Sequence, residues 1–249
     1  MLVAAPDATK DKDKVIPMTK VEKLIFEKKH LKQIHGKQLL TYAFERESIF
    51  GDAFKDVITL DVRDEAEADF KTIKFGFFTD RRRRPYPGFS KVSTNPLLTM
   101  YFNRDAWDLA RRIKAKGVAN YLRNRIMDGI GTVKDIEVTK VKFEGREIDA
   151  KRITFRPYEK DENRHNFVHY ADLEYQITIA EDVPGMLYEI VSKVPPHKGE
   201  VPPHYIARLK KGGMASLAAE AEIVNKLKIT DKPLIVERLV FQKMDEIDG

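Results

Sequence analysis

Four consecutive arginines, Arg81–Arg84, form the group in this sequence whose chemistry is best suited to holding a ligand. They follow an aromatic segment that contains Phe75 and Phe77, and they precede the turn sequence PYPGF, whose prolines limit the backbone. A guanidinium group can hold a carboxylate or a phosphate through two parallel hydrogen bonds. The combination predicts an anion-binding turn of restricted geometry.

The alternative is that the arginine run only balances charge at the surface. Four aspartates lie close enough in the sequence to pair with it, or with the arginines that follow it, namely Asp80, Asp105, Asp108 and Asp128. Surface charge runs are usually solvated or paired, and exposed pairs contribute little to stability. The arginines that follow the run are Arg104, Arg111, Arg112, Arg123 and Arg125. The residue types alone leave both interpretations open.

Four histidines in one region are the other residues that could bind a ligand, in this instance a transition metal. They are His165, His169, His197 and His204. The last two repeat a Pro-Pro-His unit, and the first two are expected to lead into a strand and to share one face of it. No carboxylate pattern accompanies them, so loop histidines without a ligand role are the expectation. The sequence predicts no metal site and no cofactor.

Catalytic chemistry has no comparable signal. The sequence contains no glycine-rich nucleotide loop, nucleophile-elbow motif or HExxH zinc motif. With no cysteine, the chain has neither disulfides nor thiol nucleophiles. The carboxylate pairs Asp61/Asp64 and Asp105/Asp108 stand in strongly charged surroundings, where no apolar pocket is expected to raise a pKa. The prediction is a protein that is not an enzyme.

The composition is that of a globular protein with a heavily charged surface. Of the 249 residues, 42% are hydrophobic and 34% are charged, which is unlike a disordered chain. No apolar run approaches the roughly 20 residues that a membrane-spanning helix needs. The formal net charge of +6 is a modest excess over a large surface, so nucleic-acid binding is kept only as an alternative.

Hydrophobic periodicity predicts the elements that must position these groups. A capping box at Thr19 and Glu22 begins a helix that the spacing extends to about residue 34. Three segments of alternating apolar residues then predict strands. Asn95-Pro96 begins the longest helical region, in two segments divided at Gly117. Two hairpins and a final strand follow, and the first hairpin changes its apolar parity twice, which suggests β-bulges.

The order of these elements predicts an α+β fold, with a curved, mainly antiparallel sheet of about eight strands that packs on helices as a half-barrel. Residues 18–249 are predicted to form a single domain after a flexible polar tail at 1–17. A segment bracketed by proline and glycine, at about 195–232, is interpreted as an insertion that carries one short helix, SLAAEAEIVNKLK.

Three stretches of the sequence resemble a group of uncharacterised bacterial exported proteins: YAFERESIFGDAFKDVITLDV, FGFFTDRRRRPYPGF followed by NPLL, and EDVPGMLYEI. Their general form is similar to the LolA/LolB-like lipoprotein carriers. The resemblance covers about residues 38–194 and implies a strongly curved antiparallel sheet wrapped over helices, an apolar cavity between them, and a periplasmic or envelope location. The start VAAPDATK is typical of a chain after removal of an export signal, with a disordered cytosolic tail as the alternative.

The first functional hypothesis is therefore a non-enzymatic envelope protein that binds a lipid or another amphiphilic anion in an apolar cavity. Arg81–Arg84 would meet the anionic head group, and five aromatic residues would line the apolar side: Phe75, Phe77, Tyr101, Phe102 and Trp107. A basic nucleic-acid-binding module is one alternative: it would use the Arg81–Arg84 turn and the basic helix, with Lys74, Phe75 and Phe77 as part of a basic and aromatic strand face. A structural partner in an envelope assembly is the other.

Overall fold

The computed structural model of the chain describes residues 17–67, 69–113, 118–196, 199–228 and 231–247. Apart from Pro17, the tail predicted for residues 1–17 lies outside the described residues, as do Gly117 and His197. Within the described ranges, no helix is both long enough and apolar enough to cross a membrane.

A single antiparallel sheet, with nine strands in the described residues, organises the fold. The strands are, in chain order, β1 (Lys37–Ser48), β2 (Phe54–Asp64), β3 (Lys71–Phe77), β4 (Phe89–Val92), β5 (Glu137–Phe143), β6 (Arg146–Phe155), β7 (Glu174–Ile179), β8 (Leu187–Val194) and β9 (Ile235–Glu246). Their order across the sheet is β4-β3-β2-β1-β9-β8-β7-β6-β5. Two meanders, β1 to β4 and β5 to β8, are therefore joined where β9 pairs with β1 on one side and with β8 on the other.

The helices occupy the two long connections and the start of the described chain. They are α1 (Lys20–Glu22), α2 (Leu97–Ile113), α3 (Val118–Gly131), α4 (Pro203–Lys211) and α5 (Ala215–Leu227). Phe102 of α2 packs edge to face on Tyr175 of β7, with ring centroids 5.2 Å apart. The Arg104 guanidinium lies 4.9 Å from the ring centroid of Phe44 in β1. The longest helix therefore lies against the inward face of the sheet.

The predicted α+β class and antiparallel sheet are confirmed, and a curved sheet is consistent with the structure. The apolar alternation was a reliable guide because one face of each central strand is buried: Leu40, Tyr42 and Phe44 of β1 are at most 1% exposed. The sheet has nine strands rather than about eight. The additional strand, β4, begins at the last residue of the segment interpreted as a turn and pairs its Phe89 with Ile73 of β3.

The first helix is shorter than the segment predicted for about 20–34. The predicted capping box is present: the Glu22 N–H donates to Thr19 Oγ1 at 3.1 Å, and the Thr19 N–H donates to Glu22 Oε2 at 2.7 Å. α1 then continues as one π-helical turn, Lys23–Glu27. The helical segment ends there because Lys28 adopts an extended conformation, with φ −64° and ψ 132°.

The segment at 195–232 contains two helices, where the sequence predicted one. α5 corresponds to the predicted helix, and α4 was missed because its prolines were interpreted as loop residues. Pro203 stands in the first turn of α4, where proline is well tolerated because the backbone N–H there has no helical partner. Ile206 and Leu209 give α4 a buried apolar face, at 8% and 1% exposure.

The predicted β-bulges in the first of the two later hairpins do not occur. The register of β5 against β6 is continuous, from Glu137 opposite Arg152 to Phe143 opposite Arg146. At the first change of parity, Val138 of β5 is 78% exposed and so marks no buried face. The second has another cause, because β6 buries opposite faces toward its two ends. The buried positions are Ile148 and Ala150 near the turn, then Ile153 and Phe155.

A buried histidine ties the start of α2 to the first helical segment. His30 is 1% exposed; its Nε2–H donates to the Leu24 carbonyl oxygen at 2.8 Å, and its Nδ1 accepts the Asn95 N–H at 3.0 Å. Both ring nitrogens are engaged, which requires the neutral ring with its proton on Nε2. Asn95 in turn donates to the Tyr42 hydroxyl at 3.1 Å and caps the Leu97 N–H at 3.1 Å.

Acidification should therefore destabilise the protein through His30. Burial lowers the pKa of His30 below its ordinary value, and the positive charge of Lys28 adds to the decrease. The unfolded chain binds a proton near pH 6.5, whereas the folded protein does so only at lower pH. The contribution is thus fully present above about pH 6.5 and declines below it. Urea unfolding at about pH 7.5 and about pH 5.5 should show a larger acid loss for wild type than for His30→Gln, by up to about 1.4 kcal/mol per pH unit. Equal losses would contradict this role.

Candidate functional site

A cavity of about 850 Å³ opens between α2 and one end of the sheet. Its wall is charged: it contains eight arginines and four acidic residues, namely Arg46, Arg81, Arg82, Arg83, Arg84, Arg104, Arg111 and Arg112, and Asp52, Asp105, Asp108 and Glu237. We name Arg81–Arg84 and Arg111 the outer arginines, because they are the more exposed ones, and Arg46, Arg104 and Arg112 the inner arginines.

The arginine run forms a tight turn directly after β3. Asp80–Arg82 make one 3-10 turn, and the Arg84 N–H donates to the Phe77 carbonyl oxygen at 2.9 Å, which returns the chain to β3. The N–H and the hydroxyl of Thr79 both donate to Asp56 Oδ1 at 2.9 Å and attach the turn to β2. The run is therefore fixed by hydrogen bonds to two strands, and the proline segment that follows is not its only restraint.

The glycine in the PYPGF segment has a packing role. Gly88 does not have the positive φ that would require glycine for conformational reasons. A Cβ atom at this position would stand 3.0 Å from the Ile73 carbonyl oxygen of β3. Glycine is therefore favoured here because the chain passes close to the neighbouring strand.

The run arginines differ in their partners. Arg84 pairs with Asp108 of α2, with Nη1 3.1 Å from Oδ1. The guanidinium of Arg82 stacks over the Phe54 ring, 4.5 Å from its centroid. Among the residues that the structure describes, Arg81–Arg83 have no carboxylate partner, and the first and last of them are exposed. The surface-pairing interpretation therefore applies to Arg84 and not to the rest of the run.

The inner arginines belong to a continuous chain of ion pairs on the cavity floor. Its members, in order, are Asp105, Arg104, Glu237, Arg46, Asp52, Arg112 and Glu220, and we name it the inner ion-pair chain. Arg46 joins Glu237, at 2.5 Å from Nη1 to Oε1, to Asp52, at 2.8 Å from Nη2 to Oδ2. Arg104 contacts both Glu237 and Asp105 through Nη2. Its side chain is 2% exposed, so these charges are compensated by one another rather than by water.

Burial and charge shift the pKa values of two floor carboxyls in opposite directions. Burial raises the pKa of Asp105 to about 7; the charge of Glu237 adds to the rise, while Arg104 and a 2.9 Å hydrogen bond from the Tyr175 hydroxyl oppose it. Burial also acts to raise the pKa of Glu237, but the positive charges of Arg104 and Arg46 bring it below its ordinary value. The expectation that the surroundings of Asp105 would not raise its pKa is therefore wrong, because α2 turns this side chain into the floor, where it is 12% exposed.

The excess positive charge of the wall lies in its outer half. The three inner arginines face three carboxylates of the wall, those of Asp52, Asp105 and Glu237. The five outer arginines face only Asp108, which both Arg84 and Arg111 contact. An excess of four positive charges is thus concentrated around the more exposed part of the cavity, which is suited to attract and hold anions.

The five aromatic residues predicted to line an apolar cavity lie elsewhere. Phe77, Tyr101 and Phe102 are 0% exposed and belong to the packed core. Phe75 is half-buried beside β4, and Trp107 is 59% exposed on α2. None of the five stands in the wall of the arginine-rich cavity. The apolar part of that wall consists of Ala53, Phe54, Phe78, Leu109, Leu173, Val194 and Ile235.

The strand face suggested for nucleic-acid binding is not a single surface. Lys74 and Phe75 are neighbours in β3, so their side chains point to opposite faces of the sheet. Phe77 shares the face of Phe75 but is fully buried, so it offers no ring for base stacking. The positive charge of this region is presented at the cavity rather than along the strand.

Three of the four histidines named from the sequence, His165, His169 and His204, lie in the described part of the chain. His165 and His169 lie in a 3-10 segment, Arg164–Asp172, rather than at the start of a strand. His169 is buried, with Nε2 3.0 Å from Glu220 Oε2 at the end of the inner ion-pair chain. In the described part of the chain, which leaves out His197, no three His, Cys, Asp or Glu side chains are arranged to hold a metal ion.

Sequence reasoning missed the floor residues Arg46, Asp52 and Glu237, although a signal for two of them exists. Arg46 follows Phe44 by two positions, so it continues the inward-facing alternation of β1. Glu237 precedes Leu239 by two positions and does the same in β9. A charged residue at an inward position needs an opposite charge nearby. The register places Arg46 directly opposite Glu237 in the neighbouring strand.

Comparisons with known proteins leave the geometry of the cavity as the basis for a functional proposal. No protein-family model matches this chain, and a search of curated proteins finds no similar sequence. The resemblance to exported proteins and to lipoprotein carriers accordingly stays a prediction from the sequence.

Proposed function

We propose that the protein binds a small molecule with several anionic groups in the arginine-rich cavity. The observation that carries this proposal is the excess of four positive charges on the outer half of a cavity of about 850 Å³. Cavities that hold small molecules commonly measure about 300 to 1,000 Å³. Carboxylate, phosphate and sulfate groups are the ones that a guanidinium holds through paired, charge-assisted hydrogen bonds.

The inner ion-pair chain supports the proposal because it supplies a fixed floor. Each inner arginine already bridges two carboxylates, so these side chains are held in place beneath the outer arginines. Among the described residues, the buried Nε–H groups of Arg46 and Arg104 have no hydrogen-bond partner. A buried donor without a partner costs free energy unless a ligand or water satisfies it.

Of the lipid or amphiphile suggested by the sequence, the proposal keeps the anionic group and only a short apolar part. Phe54, Phe78 and Leu109 stand among the arginines of the wall, so a short apolar part of a ligand would find contacts there. The aromatic residues first assigned to a long apolar tail lie outside the wall. A compact polyanion therefore fits the cavity better than a long-chain lipid. The proposal includes no catalytic step, and the envelope location stays a prediction from the sequence.

Isothermal titration calorimetry at low ionic strength tests the proposal. The ligands should cover three multiply charged small molecules (citrate, inositol hexakisphosphate and pyrene tetrasulfonate), one singly charged amphiphile (oleate), and a single-stranded oligonucleotide. We expect one-site binding of at least one multiply charged molecule, with a Kd in about the micromolar range that weakens as salt screens the exposed arginines.

Failure of all three multiply charged molecules to bind would contradict the proposal. Tight binding of oleate alone would favour the lipid hypothesis. Binding of the oligonucleotide at many sites, with a steep dependence on salt, would favour the nucleic-acid alternative.

A further inference from the structure

One carboxyl group on the cavity floor has fewer cations around it than its neighbours. The inner ion-pair chain contains three arginines and four carboxylates, and Asp105 stands at one of its ends. Glu237 is contacted by two guanidinium groups, those of Arg46 and Arg104. Among the cations of the described residues, Arg104 alone contacts Asp105, through the same Nη2 atom that contacts Glu237. Counting arginines and carboxylates alone, the chain is electrically balanced when Asp105 carries a proton.

We propose that proton uptake accompanies the binding of the anionic ligand in the cavity, and that Asp105 is the group that accepts the proton. The inference rests on the proposed function, because it describes how the same cavity responds to pH. It characterises the ligand as an anion that is held more tightly under mildly acidic than under mildly alkaline conditions.

The groups that face Asp105 come from four parts of the fold. They are Arg104, Asp108 and Tyr101 from α2, Glu237 from β9, Tyr175 from β7, and Tyr158 from the segment after β6. Burial raises the pKa of each of these three tyrosines well above its ordinary value, so they stay neutral. The charged neighbours are thus one guanidinium and two carboxylates, which agrees with a pKa for Asp105 that burial raises to about 7.

The other carboxyl groups of the wall do not change charge near neutral pH. Burial acts to raise the pKa of Asp52, but hydrogen bonds from Ser48 and Arg46 lower it to about 2. Burial is likewise outweighed by nearby arginines at Asp108 and Glu237, whose pKa values lie below their ordinary ones. Asp105 is therefore the one carboxyl of the described wall with a pKa near neutrality.

Protonation of Asp105 and binding of the anion are thermodynamically linked, so each one favours the other. Asp105 precedes Asp108 by three positions on α2, and Asp108 pairs with Arg84 of the run, so the titrating carboxyl lies close to the outer arginines. An anion bound there repels an ionised Asp105 and raises its pKa further. A ligand that raises this pKa must bind more tightly to the protonated form, by tenfold for each unit of the increase.

Pyrene tetrasulfonate is the suitable probe, because its sulfonate groups stay ionised throughout the pH range of interest. In wild type, its Kd should be constant at the acidic end and rise about tenfold between about pH 6 and about pH 8.5. Calorimetry at about pH 7 in two buffers of different ionisation enthalpy should show net uptake of protons on binding.

Three variants assign the effect to one side chain. Asp105→Asn should bind the probe at the tight, acidic-limit affinity at every pH. Tyr175→Phe removes a hydrogen bond that lowers the pKa of Asp105, so the rise in Kd should move to higher pH. Asp108→Asn is the matched control, because it removes a carboxylate that is ionised throughout. It should keep a rise in Kd of similar size, with the midpoint at somewhat lower pH, because the charge of Asp108 adds to the raised pKa of Asp105.

A probe Kd that does not depend on pH in wild type would overturn the inference and leave the anion-binding proposal intact. So would a rise in Kd that persists in Asp105→Asn. If Asp105→Asn does not fold, the test depends on Tyr175→Phe. A rise in probe Kd with the same midpoint pH in Tyr175→Phe as in wild type would then overturn the inference. No binding of any multiply charged molecule at any pH would instead overturn the proposed function itself.

Discussion

The variant Glu237→Gln is expected to lose about 3 to 5 kcal/mol of its free energy of unfolding at neutral pH. Glu237 is 6% exposed, contacts Arg46 and Arg104, and accepts a 3.3 Å hydrogen bond from the Tyr101 hydroxyl. A neutral amide would leave two guanidinium groups, 10% and 2% exposed, with one carboxylate each. Glutamine nearly matches glutamate in shape, so the cost would come from uncompensated buried charge and not from lost packing.

Urea denaturation of a matched control separates this cost from a general effect of removing a carboxylate. Glu246→Gln makes the same substitution at an exposed position of the same strand, and should change the free energy of unfolding by no more than about 0.5 kcal/mol. Combining Glu237→Gln with Arg46→Gln should cost less than the sum of the two single changes, because both members of one pair are then removed. Additive costs, or a Glu237→Gln cost as small as the control, would contradict the inner ion-pair chain as described.

The sheet could be largely predicted because its central strands bury one mainly apolar face. The same rule does not give the order of the strands. β9 inserts between β1 and β8, and this pairing brings Arg46 beside Glu237, 191 positions away in the chain. Hydrophobic alternation indicates which residues face inward, but not which strand lies next to which. The floor of the cavity depends on that order, so it could not be predicted from local pattern.

The outer arginines could be predicted as an anion-binding group because four adjacent residues of one type stand out in any sequence. The side chains of α2 near these arginines were assigned wrongly, because the prediction relied on residue type and not on the position of each residue around the helix. Trp107 was placed with Phe102 on the apolar side of a cavity, but it follows Phe102 by about 1.4 helical turns and so points nearly the opposite way. Arg104 and Asp105 are charged, yet they lie on the buried side of α2 and form part of the cavity floor.

The double variant Arg81→Gln/Arg83→Gln is expected to lose anion binding and to keep its stability. Both side chains are exposed, and neither has a carboxylate partner in the described part of the chain. The free energy of unfolding should therefore change by no more than about 0.5 kcal/mol. If these groups hold the ligand, binding of pyrene tetrasulfonate should weaken by about 1.5 to 3 kcal/mol, which is about 10-fold to 150-fold in Kd. Calorimetry and urea unfolding of the same preparations measure both quantities.

The matched control is Arg123→Gln/Arg208→Gln, which removes two arginines that do not line the cavity. If affinity depended only on the overall charge, the two double variants would bind equally weakly, and the loss would disappear as salt is raised. A specific site predicts that the cavity variant stays weak at about 0.15 M salt while the control binds as wild type does. Wild-type affinity in the cavity variant, with normal unfolding, would remove Arg81 and Arg83 from the site. The turn itself is fixed by Thr79 and Asp56, which neither variant touches, so a loss confined to the cavity variant would be due to its two missing guanidinium groups.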